Sequence, residues 1–251
     1  ITNVGKAHLL GFGSFEGVKR AKGLLYDYLK AHGGIAFANA DDPVLQEMLW
    51  ERGLPMIPYG LDGVEILPSS PEHPFLRLRL GGAELDTRLV GAYNAANVLA
   101  ALKIGWFFGV PEADARSAVA AYVPANSRSQ LLKTQRNTVI VDAYNANPSS
   151  MAVALDNLSL SEGRKVALLG DMRELGADAA AEHRKVVNRL GGVEAFLVGE
   201  EFTRAAKGTA YKTFATSDAL AAYLEEHPLT GATVLVKGSR GTRMETVIAA
   251  L

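Results

Sequence analysis

The chain has 251 residues, of which 48% are hydrophobic, and a formal net charge of -1. This length allows two domains, and the balanced charge predicts no nucleic-acid partner. The absence of cysteine excludes disulfides and thiolate metal sites, and the sequence has no apolar run long enough to cross a bilayer, so we expect a cytoplasmic protein without membrane insertion. We also expect a monomer.

The first half of the sequence predicts a mixed α/β domain. Residues 1–4 suggest the end of a strand, and residues 5–15 suggest a glycine-rich loop. Ser14 is a suitable N-cap for a helix that reaches about Ala31, and residues 35–39 have the apolar run of a buried strand. Further along, the patterns predict an antiparallel hairpin over 75–80 and 83–90 and two helices over 94–110 and 112–123.

Lys22 interrupts the apolar face of the first predicted helix. On a helical wheel Val18, Leu25 and Leu29 form the apolar stripe, and Lys22 lies within it. Burial would lower the pKa of this lysine and leave a neutral amine that can act as a base or accept CO2 as a carbamate. The alternative is a lysine whose stem packs while its ammonium reaches water.

His8 lies shortly before this helix, in the predicted loop. A neutral imidazole and a carbamate oxygen could together bind Mg2+, whereas His8 taken alone is typical of a loop histidine. The run from Gly11 to Gly17 has the spacing G-x-G-x-x-x-G, one residue longer than the dinucleotide fingerprint. We interpret it as a backbone turn.

The second half alternates short apolar runs with helical patterns, which is typical of βαβ units and a parallel, Rossmann-like sheet. No G-x-G-x-x-G follows its first strand, which disfavours a dehydrogenase. The predicted strands cover 138–141, 165–169, 195–198 and 233–236, and the predicted helices cover 151–160, 177–190 and 217–226.

Asp142 follows the first of these strands, and Asn147 and Pro148 have the residue types of a helix N-cap and first helical position. Ligands of parallel sheets bind outside the carboxyl ends of the strands, where helix N-termini attract phosphate. Asp142 is therefore placed to hold a ribose hydroxyl. The alternative is that Asp142 and Asn147 cap the helix and close a turn.

Eight motifs resemble, in their order, those of the Mur ligases, the ATP-dependent enzymes that build the peptidoglycan stem peptide. The loops over 144–148 and 170–176 are similar to those of the family members that add D-alanyl-D-alanine. The motifs are I-T-N-V-G-x-A-H-L from residue 1, G-F-G-S from 11, A-K-G from 21, N-A-D-D-P from 39, G-x-Y-N-x-x-N-x-x-A-A from 91, Y-N-A-N-P from 144, G-D-M-x-E-L-G from 170 and V-K-G-S-R-G-x-R-M-E from 236.

The resemblance implies the later part of a P-loop-type ATPase central domain over residues 1–125, followed by a Rossmann-like, parallel-sheet C-terminal domain over 126–251. It also implies ligation of D-alanyl-D-alanine to UDP-N-acetylmuramoyl-tripeptide through an acyl phosphate, with ATP and Mg2+ as cofactors. The sequence contains no G-x-x-x-x-G-K-[ST]. We therefore expect that the family's P-loop and N-terminal domain are missing and that these residues alone do not turn over.

The resemblance assigns three groups of residues. His8 and Lys22, the latter as a carbamate, match the magnesium-binding residues, and Arg128 matches an arginine that reaches the ATP phosphates, so these three are the predicted catalytic set. The predicted nucleotide contacts are Asn94 and Asn97 near the adenine, Asp142 at the ribose, Tyr144 and Arg128. The predicted substrate contacts are Asn145, Asn147, Lys237, Ser239 and Arg240.

Three alternatives remain. Asn94 taken alone is typical of a plain helix N-cap. Another Mur-type or a folylpolyglutamate-type amide ligase would use the same chemistry on the same scaffold, although the latter lacks the Y-N-A-N-P pattern. A non-catalytic nucleotide-binding module would explain the absent P-loop without any missing segment.

Overall fold

The computed structural model describes residues 1–6, 9–70, 73–125 and 127–251. His8, a predicted magnesium ligand, and Asn126, at the predicted domain boundary, lie outside the described residues. The described chain divides into two compact units. The first consists of Ile1–Ser69, His73–Arg88 and Ala92–Tyr122, and the second consists mainly of Val123–Leu251.

The first unit contains a short parallel sheet, a separate antiparallel sheet and helices. Strands β1 and β2 are parallel, and β3, β4 and β5 form an antiparallel meander. The elements of this unit are α1 (Leu9–Phe12), α2 (Phe15–Ala31), β1 (Ala36–Asn39), α3 (Pro43–Trp50), β2 (Met56–Tyr59), β3 (Val64–Leu67), β4 (Arg77–Leu80), β5 (Ala83–Asp86), α4 (Ala95–Phe107) and α5 (Glu112–Ala121).

Helix α2 begins where the sequence predicts, because the Ser14 side chain accepts a hydrogen bond from the backbone N–H of Gly17 at 3.0 Å. Its buried side contains Val18 and Tyr26, whereas Leu25 is 49% exposed, so the predicted stripe was wrong by one position. A stripe through Val18, Tyr26 and Leu29 contains Lys22 one turn before Tyr26. The core under it includes Ala38 and Met48.

Two predictions for the beginning of the chain were wrong. Residues 1–4 do not form a strand; Ile1 and Val4 pack instead against the hydrophobic cluster that contains Tyr26. The predicted glycine-rich loop contains the short helix α1, which includes Gly11 and buries Leu9. The hairpin over β4 and β5 and the two helices α4 and α5 are confirmed.

The second unit is a Rossmann-like α/β layer built on one six-stranded sheet, as predicted. It contains β6 (Gln130–Lys133), β7 (Thr138–Asp142), α6 (Pro148–Ser159), β8 (Arg164–Gly170), α7 (Ala179–Arg189), β9 (Glu194–Val198), α8 (Glu200–Ala205), β10 (Lys212–Phe214), α9 (Ser217–Glu226), β11 (Ala232–Lys237) and 3-10 turns over Arg240–Thr242 and Met244–Ala250.

The strand order of this sheet is β10-β9-β8-β11-β7-β6, and all pairs are parallel except β6 with β7. The sheet is therefore mixed at one edge, where the sequence predicted only parallel strands. The chain runs outward from β8 to β10 and then returns to place β11 between β7 and β8. The carboxyl ends of these three central strands consequently meet, which is where ligands of such sheets bind.

The central strands are apolar on both faces because helices cover them on both sides. Val139, Val166 and Val234 have no exposed surface, and they share one cluster with residues of α9 and the C-terminal 3-10 turn. In the described residues no helix combines the length and apolarity that a membrane span requires.

Candidate functional site

The carboxyl ends of β7 and β11 are joined by a buried ion pair. Lys237 and Asp142 are register partners in adjacent parallel strands. The Lys237 Nζ lies 2.5 Å from Asp142 Oδ2 and 3.2 Å from the backbone oxygen of Asn145. The Lys237 side chain is 1% exposed and that of Asp142 is 17% exposed. The other oxygen of Asp142 has no hydrogen-bond partner among the described residues and remains available to a ligand.

The Tyr144 ring lies close to two arginines at this edge of the sheet. The guanidinium carbon of Arg128 is 3.8 Å from the centre of the Tyr144 ring, and that of Arg240 is 5.6 Å from it. All three side chains are exposed. Within the described part of the chain neither guanidinium has a carboxylate partner. This edge of the sheet therefore presents two cations that can attract phosphate or carboxylate groups.

The backbone around Arg128 holds two serines in the left-handed region, Ser127 with φ 55° and Ser129 with φ 48°. The backbone oxygen of Ser127 accepts a hydrogen bond from the N–H of Tyr144 at 3.2 Å. Such conformations cost roughly 1 kcal/mol or more for each non-glycine residue and occur often at ligand sites. Here they fix the position from which Arg128 reaches the Tyr144 ring.

Asn147 caps helix α6, as one of the two sequence interpretations proposed. Its Oδ1 accepts a hydrogen bond from the N–H of Ser150 at 2.9 Å, and the Ser150 hydroxyl accepts one from the Asn147 N–H at 3.1 Å. Asn145 is exposed, and its side chain accepts a hydrogen bond from the N–H of Ala146. Asp142 takes no part in the cap, because its carboxylate binds Lys237.

Ser239 connects three loops. Its hydroxyl donates to the backbone oxygen of Ala146 at 3.3 Å and accepts from the N–H of Arg173 at 2.8 Å, while its own N–H donates to the oxygen of Asp171 at 3.1 Å. The side chain is 3% exposed. These contacts give Ser239 a structural function in place of the predicted substrate contact.

In the first unit, Asn94 and Asn97 lie side by side at the start of α4. The Asn97 amide nitrogen donates to Asn94 Oδ1 at 3.0 Å. Asn94 is at the N-cap position of α4, as the alternative interpretation predicted, but its side chain makes no capping hydrogen bond. Asn94 is buried and Asn97 is exposed, which leaves the Asn97 amide at the surface for a polar ligand.

Lys22 is partly buried on α2, as the helical pattern predicted. Its Nζ donates to the backbone oxygen of Asn3 at 2.7 Å. Desolvation lowers the pKa of the Lys22 amine below its ordinary value, and the nearby carboxylate of Asp42 opposes that shift. One turn further along, burial raises the pKa of Tyr26 to about 12. The Tyr26 hydroxyl has no hydrogen-bond partner in the part of the chain that the structure describes.

The described residues show no ready-made cluster of metal-binding side chains. No group of three or more histidine, aspartate or glutamate side chains among them is arranged to hold an ion. As an ammonium, Lys22 cannot coordinate a cation, and only its carbamate form could supply an oxygen ligand to Mg2+.

The sequence interpretation missed two aspartates that organise these regions. Asp42 caps α3 by accepting from the N–H groups of Val44 and Leu45 at 2.9 and 3.1 Å. Asp171 accepts from the N–H groups that begin α8, at Glu201 and Phe202. The Asp-Pro pair at residues 42–43 is a recognisable helix start. The hydrogen bond from α8 to Asp171 joins residues thirty positions apart, and no local sequence pattern predicts it.

Two domain profiles, both of Mur ligases, match this chain. The profile described as the Mur ligase middle domain matches residues 1–105, and the profile described as the Mur ligase, glutamate ligase domain, matches residues 127–240. The profiles thus cover most of both units.

The chain is also similar to whole proteins. The UDP-N-acetylmuramoyl-tripeptide--D-alanyl-D-alanine ligases of Bacillus subtilis and Escherichia coli are 28% and 30% identical to it, over 99% and 100% of this chain. The matches cover 57% and 59% of those ligases, so the chain spans less than two thirds of the curated relatives' length.

Among solved structures, MurF from Acinetobacter baumannii has a TM-score of 0.81 at 28% identity, covering 99% of this chain and 58% of that one. The MurF ligase from Thermotoga maritima in complex with ADP has a TM-score of 0.80 at 22% identity, over 99% of this chain and 60% of that one, which shows a shared fold.

Proposed function

We propose that this chain, which belongs to the Mur ligase family, provides part of an ATP-dependent ligase that joins D-alanyl-D-alanine to UDP-N-acetylmuramoyl-tripeptide in peptidoglycan synthesis. The observation that carries the proposal is the edge of the second unit's sheet, which presents one Asp142 oxygen without a partner among the described residues and also the cations of Arg128 and Arg240. A ribose hydroxyl and phosphates are ligands of that chemistry.

In the proposed reaction, ATP supplies the phosphoryl group that activates the tripeptide carboxylate, and the amine of the dipeptide displaces phosphate to form the amide bond. Arg128 neutralises negative charge on the phosphates, and its stacking on Tyr144 holds the guanidinium in place. Charge stabilisation by groups that are already oriented is commonly the largest contribution of an enzyme to such reactions. Asp142 accepts a hydrogen bond from the ribose.

The asparagine pair is the proposed adenine contact. Asn97 is exposed and its amide is oriented by the hydrogen bond to Asn94, so its remaining oxygen can accept from the exocyclic amine of adenine. We assign Asn94 the function of orienting Asn97. The nucleotide contacts of both asparagines and of Asp142 remain predictions.

Lys22 and His8 are the proposed magnesium residues. Mg2+ prefers oxygen ligands, which a carbamate on Lys22 would provide and an ammonium cannot. The lowered pKa of Lys22 favours the neutral amine that carbamate formation requires. When bound, Mg2+ would neutralise phosphate charge.

The exposed side chains of Asn145 and Arg240 are the proposed contacts of the incoming dipeptide, and the guanidinium of Arg240 suits its terminal carboxylate. Lys237, Ser239 and Asn147 are occupied by contacts within the protein. We further propose that the protein acts as a monomer in the cytoplasm, where ATP and UDP-linked substrates are available.

The test compares Arg128→Ala with wild type in the complete gene product, using mass spectrometry to follow the amide product. Turnover should fall by about a hundredfold or more, because a charge-stabilising group is lost. An exposed cation–π contact is worth about 0.5–1 kcal/mol, so the loss of stability should be no larger than that.

The matched control is Arg88→Ala, which removes another exposed arginine that lies over a ring, that of Phe75, at 5.8 Å. It should leave turnover within about twofold of wild type. Equal losses of turnover and stability in Arg128→Ala would contradict the proposed function of Arg128. Product formation with glutamate in preference to D-alanyl-D-alanine would favour a folylpolyglutamate-type ligase.

A further inference from the structure

Lys237 ends strand β11 directly after three apolar, buried residues. Val234, Leu235 and Val236 precede it in β11, and all have 1% exposure or less. A lysine in such a place is unfavourable by default, because moving an ammonium out of water has a large cost in free energy before any pairing. Replacing a buried ion pair with apolar residues is often neutral or stabilising. Stability of the strand alone therefore gives no reason for a lysine at this position.

The contacts of Lys237 give such a reason. Its Nζ approaches one oxygen of Asp142 and the backbone oxygen of Asn145, so one ammonium connects the end of β7 to the loop that carries Tyr144. The Asp142 carboxylate cannot rotate without breaking the contact with Lys237. Its second oxygen is thereby held in one orientation, at the edge of the sheet that also carries Arg128 and Arg240.

Lys237 is also too deeply placed to touch a ligand. Its side chain is 1% exposed, whereas the Asp142 side chain is 17% exposed. The predicted substrate contact of Lys237 therefore does not agree with the geometry. Any effect of Lys237 on a bound nucleotide has to pass through Asp142 or through the Asn145 backbone.

We propose that Lys237 is a positioning residue, which orients the Asp142 carboxylate so that its unpartnered oxygen accepts a hydrogen bond from the ribose of the nucleotide. This inference rests on the proposed function, since it requires that Asp142 binds ribose. In this role Lys237 determines the preference for a nucleotide that carries ribose hydroxyls. Lys237 itself does not contact the substrates.

The experiment measures the dissociation constants of ATP and of its 2',3'-dideoxy analogue, without the other substrates, for the complete gene product. The analogue lacks both hydroxyls that Asp142 could bind. Because a hydrogen bond to a charged group contributes about 1.5–3 kcal/mol, wild type should prefer ATP by roughly ten- to a hundredfold. In Lys237→Met that preference should fall to within about threefold of unity, while the affinity for the analogue stays close to that of wild type.

Two further variants separate positioning from a general loss of structure. Asp142→Asn combined with Lys237→Met should show no smaller preference than Asp142→Asn alone, because both changes remove the same contact. Lys237→Arg keeps the charge and should retain part of the preference. If Lys237→Met does not fold, the preference is measured in Lys237→Gln, whose amide can still donate to Asn145.

Lys165→Met is the matched control. Lys165 lies at the opposite, amino end of the neighbouring strand β8, where its Nζ donates to the backbone oxygen of Ser159 at 2.8 Å. Its loss should leave the preference for ATP unchanged.

Failure of the positioning role can be distinguished from failure of the proposed function. An unchanged preference for ATP in the Lys237 variants, or an equal loss of affinity for ATP and the analogue, would overturn the positioning role while the proposed function stands. A wild-type protein that binds neither nucleotide would contradict the proposed function itself, and the inference with it.

Discussion

At the scale of single residues, Lys19 and Lys22 show how surroundings separate two lysines of one helix. A hydrogen bond to Glu47 is the largest cause that raises the pKa of Lys19, whereas desolvation lowers the pKa of Lys22. The Lys19 ammonium is held 2.7 Å from the Glu47 carboxylate. The two amines therefore differ in the fraction that is neutral at any pH, and a neutral amine is the form that reacts with CO2.

We predict that Lys22 forms a carbamate under CO2 and that Lys19 does not. The measurement is carbon NMR with isotopically labelled CO2, with Lys22→Arg to assign the signal and Lys19→Arg as its matched control. The signal should grow as the pH rises, because deprotonation of Lys22 begins below the ordinary value of 10.5. A signal that survives in Lys22→Arg, or no signal in wild type, would contradict the assignment.

The lowered pKa of Lys22 also determines how the contribution of Lys22 to folding stability depends on pH. The folded state has the lower Lys22 pKa, so the unfolded chain binds more protons in the window below 10.5. The contribution of Lys22 to stability is therefore unfavourable at neutral pH and becomes less so as the pH rises through that window. Conversion of the Lys22 amine to a carbamate would change this contribution to stability.

At the scale of elements, the loop between β7 and α6 combines a helix start and a ligand edge. The capping box of Asn147 and Ser150 fixes the beginning of α6, and Lys237 and Ser239 hold the loop from β11. Sequence patterns predicted the strand, the cap and the helix, because those signals are local. They could not predict that Lys237 and Ser239 point inward, since that depends on the register of a strand ninety-five residues away from Asp142.

We predict that Asn147 acts through its cap and makes no side-chain contact with substrates. Asn147→Ala should lose about 1 kcal/mol of unfolding free energy, and Thr216→Ala, which removes the similar cap of α9, should lose a comparable amount. Asn147→Ser should restore most of that stability and leave the KM of the dipeptide near the wild-type value. Chemical denaturation and steady-state kinetics measure both quantities. A large rise of that KM in Asn147→Ser would instead indicate a substrate contact.

Other elements show where sequence patterns were insufficient. The order of strands and helices was largely predictable, because each apolar run has the period of its element. The antiparallel β6 was missed, since an edge strand half exposed to solvent has a weak pattern. Helix α3 was missed despite its Asp-Pro start, and the buried face of α2 was misplaced because an exposed Leu25 resembles a core residue in sequence.

At the scale of the whole molecule, the α/β class and the family were predictable from ordered motifs, and the comparisons agree with both. The functional assignments are divided between the two units. Lys22 and the asparagine pair belong to the first, and Arg128, Asp142 and Tyr144 belong to the second. The geometry within each unit supports these residues as candidates.

The proposal that these residues serve an amide ligase that activates a carboxylate with ATP can be tested by an isotope-transfer measurement. The complete gene product is supplied with ATP, D-alanyl-D-alanine and UDP-N-acetylmuramoyl-tripeptide whose reacting carboxylate carries a heavy oxygen isotope. Activation as an acyl phosphate predicts that one labelled oxygen appears in inorganic phosphate for each amide bond formed. Amide formation without transfer of the label, or phosphate release that does not depend on the dipeptide or the tripeptide, would contradict the account.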